Sequence, residues 1–375
     1  MKILFTQFTP PFAQIHTSLI GKKTEAEKKY LNFRDWYSDL RRFCAQNHTV
    51  ALVSLTNKRE VIELHQDGYQ SLFFPVLNPN EKVINGRWNF FAPDLIEWLE
   101  EFDPDVVHIV GSGHRMAQEV LNNCRTHKTF IWDRTQFHNY KSHWEELHKA
   151  RYLVSPSQSH YEQARHFFPE NKFLIFPLGI NLEHFKKLDN TDKKYNIMTV
   201  GSHKRKKKNI ILVEKMARKR GLSWLHMGSV RRGWPYTKVE DLFFFQSLRS
   251  FLNVSLLKRC SGFSHVSGYS NHESMPILYN QCKILVHPSE SEGAPRCVYE
   301  ALACEVPVVV LKQTVPSIEP EFGIACESHE ECEEAVLRLL SNESRRKKMG
   351  KNGRDWLLAN HTPQKLYEAV EKSSN

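Results

Sequence analysis

The chain has 375 residues, 41% hydrophobic and 25% charged, a mixture too apolar for a disordered polymer and too long for a single hydrophobic core. Its longest apolar runs, such as VPVVVL at 306–311, fall far short of the roughly 20 residues a membrane-spanning helix needs. Lysine and arginine (52) exceed aspartate and glutamate (42), and the excess is clumped at 203–209, 217–220, 230–232 and 345–351. Such clumps suit phosphates, nucleic acid or an anionic membrane face.

In chain order, the opening MKILFTQFTPPF predicts a buried first strand (2–6) rather than a signal peptide, so a cytoplasmic protein is expected. Further β-type runs follow at 49–55, 71–76, 105–110, 129–132, 152–155 and 173–177. After the polar KKLDNTDKK (186–194) the pattern restarts, with runs at 195–200, 222–227, 262–266, 283–288 and 306–311. Strands alternating with helical stretches predict parallel, doubly wound sheets, here in two domains whose carboxyl edges share a cleft. Residues 228–260 suggest a helical insertion. The eight cysteines (44, 124, 260, 282, 297, 304, 326 and 332) are scattered without a CxxC, which predicts reduced thiols and no structural zinc.

The chemistry concentrates in SESEGAPRCVYEALACEVPVVV (289–310), where Glu292 and Glu300 stand eight positions apart. KILVHP predicts a strand, SESEGA a loop, and a helix starts near Pro295. The N-terminus of such a helix offers amide N–H groups to an anion, here from Ala294, Arg296 and Cys297, while Gly293 lets a ligand approach the backbone. Glu300 lies roughly 7 Å along the axis at 1.5 Å per residue, a reach that suits ribose hydroxyls if a diphosphate sits at the helix start. Glu292 would then face what the diphosphate carries. Carboxylates accept from two hydroxyls at once, so the pattern asks for a nucleoside-diphosphate sugar.

This stretch resembles the E-x7-E signature of GT-B glycosyltransferases of the large retaining family 4. DPDVVH (103–108), VSPSQSHYEQ (154–163), FPLGINLEHF (176–185), MTVGS (198–202) and SGYSNHESMPILYNQCKILVHPS (267–289) extend the resemblance through almost the whole chain. It implies two Rossmann-like domains facing a central cleft: 1–190 for the acceptor, 191–360 for the donor, and a C-terminal helix (361–375) crossing back to the first. It also implies a metal-independent, cofactor-free transfer of a sugar, with retention, from a donor such as a UDP-sugar. The implied acceptor is a surface or lipid-linked glycan, used at an anionic membrane face.

By position, Glu300 resembles the ribose-binding glutamate and Glu292 the one that meets the donor sugar and takes part in catalysis. The GSHKRKKKN stretch (201–209) resembles the diphosphate clamp, with Ser202 where the family has arginine. The lysine of the clamp is Lys207 or Lys208, with Lys208, just before Asn209, preferred, and Arg205 is a candidate to replace the arginine. The glycine-rich loop after the first strand is missing, and the family's histidine after TFIW is replaced by Trp132 or Asp133. Asp133, His138 and His114 are therefore the further catalytic candidates. Two alternatives stand beside this reading: transfer to a hydroxylated base in nucleic acid, and a GT-B protein that binds without turnover. The DxD at Asp103–Asp105 is expected to be a strand-capping turn and His108 a core residue.

Overall fold

The computed structural model describes residues 1–8, 38–56, 59–66, 68–77, 83–84, 87–110, 114–132, 149–155, 161–162, 165, 173–175, 179–202, 205–228, 264–268, 274–290, 292, 294–312 and 318–374. The stretch 229–263, which holds most of the expected insertion, lies outside them. The chain divides into two compact units, Met1–Gly179 with Pro363–Asn375, and Ile180–Thr362.

In the first unit, strands β1 (Lys2–Gln7), β2 (Thr49–Thr56), β3 (Ile62–Gln66) and β4 (Tyr69–Pro75) precede a two-residue hairpin, β5 (Val83–Ile84) with β6 (Arg87–Trp88). They are followed by β7 (Val106–Val110), β8 (Thr129–Trp132), β9 (Tyr152–Ser155) and β10 (Phe173–Ile175). The sheet order is β10-β9-β8-β7-β1-β2-β4-β3. Every pair is parallel except β3 with β4, an edge strand whose polar side chains gave no apolar run to find. Central strands such as β7 are buried throughout, as expected where helices cover both faces of a parallel sheet. Three helices from the first part of the chain belong to this unit: α1 (Ser38–Ala45), α2 (Pro93–Phe102) and α3 (Arg115–Asn123).

The DxD turn sits at the amino end of β7. Asp103 adopts left-handed backbone (φ 42°) at the end of α2, and the Asp105 carboxylate accepts from the Lys2 amide at 2.7 Å. His108 is a core residue: it stacks between Phe5 and Phe130, accepts from Trp132 Nε1 at 2.9 Å, and burial pushes its pKa down to about 3.

The second unit is built from β11 (Tyr195–Val200), α4 (Ile210–Arg220), β12 (Ser223–Met227), β13 (Ser264–Gly268), α5 (Met275–Asn280) and β14 (Cys282–His287). It continues with α6 (Arg296–Ala303), β15 (Val308–Leu311), β16 (Gly323–Cys326), α7 (His329–Leu340) and α8 (Glu343–Asn360). Its sheet is wholly parallel in the order β13-β12-β11-β14-β15-β16. Counted within the unit this is 3-2-1-4-5-6, the doubly wound order, and its direction reverses between β11 and β14. The last strand, GIAC, is too short and small-sided to stand out as an apolar run.

Two glycines set close approaches here. A Cβ on Gly228 (φ +145°), just after β12, would lie 1.8 Å from the carbonyl oxygen of Gly201, just after β11. On α8, a Cβ on Gly350 would lie 2.0 Å from the carbonyl oxygen of Glu305, so α8 can press against the end of α6.

The domain boundary falls at 179/180, not at the expected 190/191. The cause is hydrogen bonding that the polar stretch 186–194 does not advertise. Arg354 donates to the carbonyls of Leu182, Phe185 and Ala303, Asn280 Nδ2 donates to that of Lys186, and the Leu188 amide donates to Asn280 Oδ1. At the other end His361 is buried among Tyr299 and Trp356 of the second unit. The final helix, α9 (Pro363–Ser374), therefore starts two residues later than expected and belongs to the first unit, where Leu366 is buried and Tyr367 Oη meets His48 Nε2 at 2.6 Å. Among the described residues, no helix is long and apolar enough to cross a membrane.

Candidate active site

Ligands of doubly wound sheets bind beyond the carboxyl ends of the strands, where the order reverses. In the second unit that point is flanked by the segment after β11 (201–209) and the segment after β14 (288–295). The two segments are tied together. The Glu290 amide donates to the Lys207 carbonyl at 2.9 Å, and Asn209 Nδ2 donates to the Pro288 carbonyl at 3.2 Å and to the Glu290 carboxylate at 2.8 Å. Asn209 itself sits in left-handed backbone (φ 50°), which asparagine tolerates, and so turns the chain from the lysine run into α4.

Lys206–Lys208 form one 3-10 turn, in which successive side chains point about 120° apart. Lys206 and Lys207 are exposed, whereas the Lys208 stem lies over Gly201 and its ammonium donates to Oε1 of Glu292. Both side chains of that pair are only 17% exposed. Ser289 Oγ donates to the same Oε1 at 2.8 Å, and Nε2 of the buried His287 lies 3.5 Å from it. That last distance is long for a hydrogen bond, so the contact is chiefly one of charge with charge.

These neighbours fix the charge of Glu292. Burial alone would raise its pKa, but His287 and Lys208 outweigh burial and hold it at about 2. For His287, burial would lower the pKa, but the Cys297 sulfur and Glu292 lift it to about 9. Cys297 Sγ is 3.5 Å from Nδ1 of His287.

Pro295 precedes α6 in extended backbone, so Arg296 and Cys297 are its first two helical residues. Glu300 follows in the second turn and is 5% exposed, more enclosed than an open cleft carboxylate. Its Oε1 is 2.7 Å from Nε of Arg296, four residues earlier, and its Oε2 accepts from Tyr279 Oη at 2.8 Å. Burial, and then the Glu300 carboxylate, keep the Tyr279 hydroxyl protonated by raising its pKa well above the usual value.

The structure thus brings Glu292, Lys208, Ala294, Arg296, Cys297 and Glu300 into one region of the second unit. Ser202 is half-buried beside Gly201, and Arg205, exposed, donates its amide to the Ser202 carbonyl at 3.1 Å. Gly293, Asp133 and His138 lie outside the described residues. His114 departs from its expected place as a base open to a ligand. It is 1% exposed, caps α3 by accepting the Met116 amide on Nδ1 at 3.2 Å, and packs against Phe8 and Phe90. Nδ1 is thus engaged at the start of α3. Sequence reasoning did not find Tyr279, Ser289, His287 or Asn209. Only His287 and Ser289, flanking a proline at the end of a strand, carried a positional hint. Among the described residues, no group of three or more His, Cys, Asp or Glu could hold a metal ion.

A nucleotide-type sheet with a cation, a helix N-terminus and two glutamates at its switch point defines a class of protein, and comparison with known proteins narrows it. Residues 261–356 match the family described as glycosyl transferases group 1. Over 110 residues the chain is 31% identical to the capsular polysaccharide biosynthesis glycosyltransferase CapM of Staphylococcus aureus, covering 28% of this chain and 29% of CapM. The chain matches under a third of the length of its curated relatives. Among solved structures, Anabaena HepE in complex with UDP-glucose aligns at TM-score 0.64 and 14% identity, over 100% of this chain and 99% of HepE. Sucrose-phosphate synthase from Thermosynechococcus elongatus aligns at 0.64 and 15%, over 99% and 97%. The fold is therefore that of the GT-B glycosyltransferases, and residues 261–356, in the second unit, are similar to the group 1 family.

Proposed function

We propose that the protein is a glycosyltransferase that moves a sugar from a nucleoside-diphosphate donor, of the UDP-sugar type, to an acceptor hydroxyl with retention at the anomeric carbon. The observation that carries the reading is the convergence of Lys208, Glu292 and the first turn of α6 at the switch point of a 3-2-1-4-5-6 sheet. A diphosphate at the helix start would accept N–H groups from α6 and share the Lys208 ammonium with Glu292. Glu300 would accept from the ribose hydroxyls as the partly exposed Arg296 turns aside, while Tyr279 keeps the carboxylate aimed. Negative charge developing on the departing diphosphate would meet a fixed cation and oriented amides, the arrangement that stabilises such a transition state without reorganisation. In this account lysine and helix supply that charge and no metal is required.

The acceptor in this reading is a surface or lipid-linked glycan, which the likeness to a capsular polysaccharide enzyme supports. Release of nucleoside diphosphate across a panel of nucleotide sugars, followed by transfer to glycans and lipid-linked sugars, tests the proposal. Turnover with one UDP-sugar is expected, and failure to bind or turn over any nucleotide sugar would overturn it.

A further inference from the structure

The described cysteines all carry free thiols, but they are not alike. Cys44, Cys282, Cys304, Cys326 and Cys332 are buried in the two cores. Burial pushes the Cys44 thiol up to about 12 and those of Cys282 and Cys304 further still. Cys124 is half-buried, but among the described residues its Sγ meets the carbonyls of Leu121 and Thr126 at 3.8 Å, and burial raises its pKa as well. Cys297 is half-buried too, and its neighbours differ. It is the second residue of α6, where helix amides favour a negative charge. Its Sγ lies 3.5 Å from Nδ1 of His287, which is buried, and whose other nitrogen lies 3.5 Å from the Glu292 carboxylate.

We propose that Cys297, His287 and Glu292 form a nucleophilic thiol relay, and that Cys297 is a modification site for peroxides. Among the described residues, the other ionisable groups around the relay include Lys208 on Glu292, Tyr279 near Cys297, and the Arg296–Glu300 pair on the same helix. A thiolate, not a thiol, is the nucleophile, and an adjacent imidazolium favours it. Against burial, the Cys297 sulfur and then the Glu292 carboxylate favour the charged imidazolium, so the three groups support one another's charge.

The Cys297 thiolate attacks one oxygen of hydrogen peroxide, an S–O bond forms and the O–O bond breaks. The departing hydroxide takes the Nδ1 proton of the His287 imidazolium and leaves as water. Sulfur is oxidised by two electrons to the sulfenic acid, and the peroxide is reduced. The added oxygen would stand at the first turn of α6, where it would compete with any bound anion.

The test is timed exposure of the full-length protein to hydrogen peroxide at pH 7, trapping of sulfenic acid with dimedone, and quantification of each cysteine peptide by mass spectrometry. Cys297 is expected to react at least about ten-fold faster than Cys124, which is likewise half-buried but, among the described residues, meets no imidazole. His287→Gln is expected to abolish that advantage. Equal rates at the two cysteines in the unaltered protein, or an advantage that survives in folded His287→Gln, would overturn the proposal. The first comparison needs no variant, and neither arm contains a nucleotide, so the outcome is independent of whether α6 binds a diphosphate.

Discussion

Lys208 and Glu292, 84 positions apart in sequence, meet as an ion pair with both side chains 17% exposed. The pair exists because β11 and β14 are neighbours in the sheet, so the segments leaving them run side by side. It joins the proposed phosphate cation to the proposed sugar-binding carboxylate. Lys208→Met is expected to weaken nucleoside-diphosphate binding by about 1.5–3 kcal/mol, the usual worth of a charged hydrogen bond, or roughly 10- to 150-fold in Kd. The same change at exposed Lys206 is expected to stay within about two-fold, since surface pairs contribute little. Calorimetric titration of both variants with UDP checks this, and equal losses would remove Lys208 from the site.

Glu300 is expected to act both as a ligand contact and as part of the fold. Its carboxylate is enclosed by Tyr279 and Arg296, so Glu300→Gln should lower stability by about 1–3 kcal/mol as well as weaken nucleotide binding. Tyr279→Phe should reproduce much of the stability loss while largely sparing affinity, because the hydroxyl aims the carboxylate rather than meeting the ligand. Urea unfolding beside nucleotide titration separates the two effects. Full affinity in folded Glu300→Gln would refute the contact.

What could be read in the sequence was what lies close along the chain. The β-type runs gave most strands of both sheets, and Glu292 and Glu300 could be set on a loop and a helix because one local strand–loop–helix unit carries both. What could not be read depends on the sheet order or on a single turn. Lys208 was the preferred lysine over Lys207 by its place before Asn209, but only the 3-10 turn shows it meeting Glu292. Tyr279 reaches Glu300 from a different helix, and Arg354 draws residues 182–185 into the second unit across some 170 positions. The polar edge strand β3 and the short β16 offered no apolar run. That His114 caps α3 could not be read either, because histidines that cap helices and histidines that catalyse look the same in sequence.

Two groups near the site tie stability to pH in opposite directions. Glu292 is lowered from 4.5 to about 2, so its contribution is present above pH 4.5 and is lost as pH falls towards 2. His287 is raised from 6.5 to about 9, so its contribution is complete below pH 6.5 and is lost as pH rises through 9. Together they predict a stability plateau between about pH 4.5 and 6.5. Glu292→Gln should flatten the acid limb and shift the alkaline limb to lower pH, because His287 loses its carboxylate. Tm measured from pH 3 to 10 decides this, and an unchanged profile in the variant would contradict the coupling.

Transfer is expected to persist in EDTA, because Lys208 and the amides of α6 already supply positive charge where the diphosphate would sit. Activity abolished by chelation and restored by Mg²⁺ or Mn²⁺ would require a different account of the leaving group.

The switch point of the second sheet is expected to bind a nucleoside diphosphate between Lys208 and Glu300, and equilibrium titration of the full-length protein with UDP and GDP is the decisive measurement. The account predicts saturable one-to-one binding, tighter for UDP, that weakens at least about ten-fold in both Lys208→Met and Glu300→Gln while each variant remains folded. Absence of saturable binding by either nucleotide, or equal affinity in the unaltered protein and both variants, would contradict it.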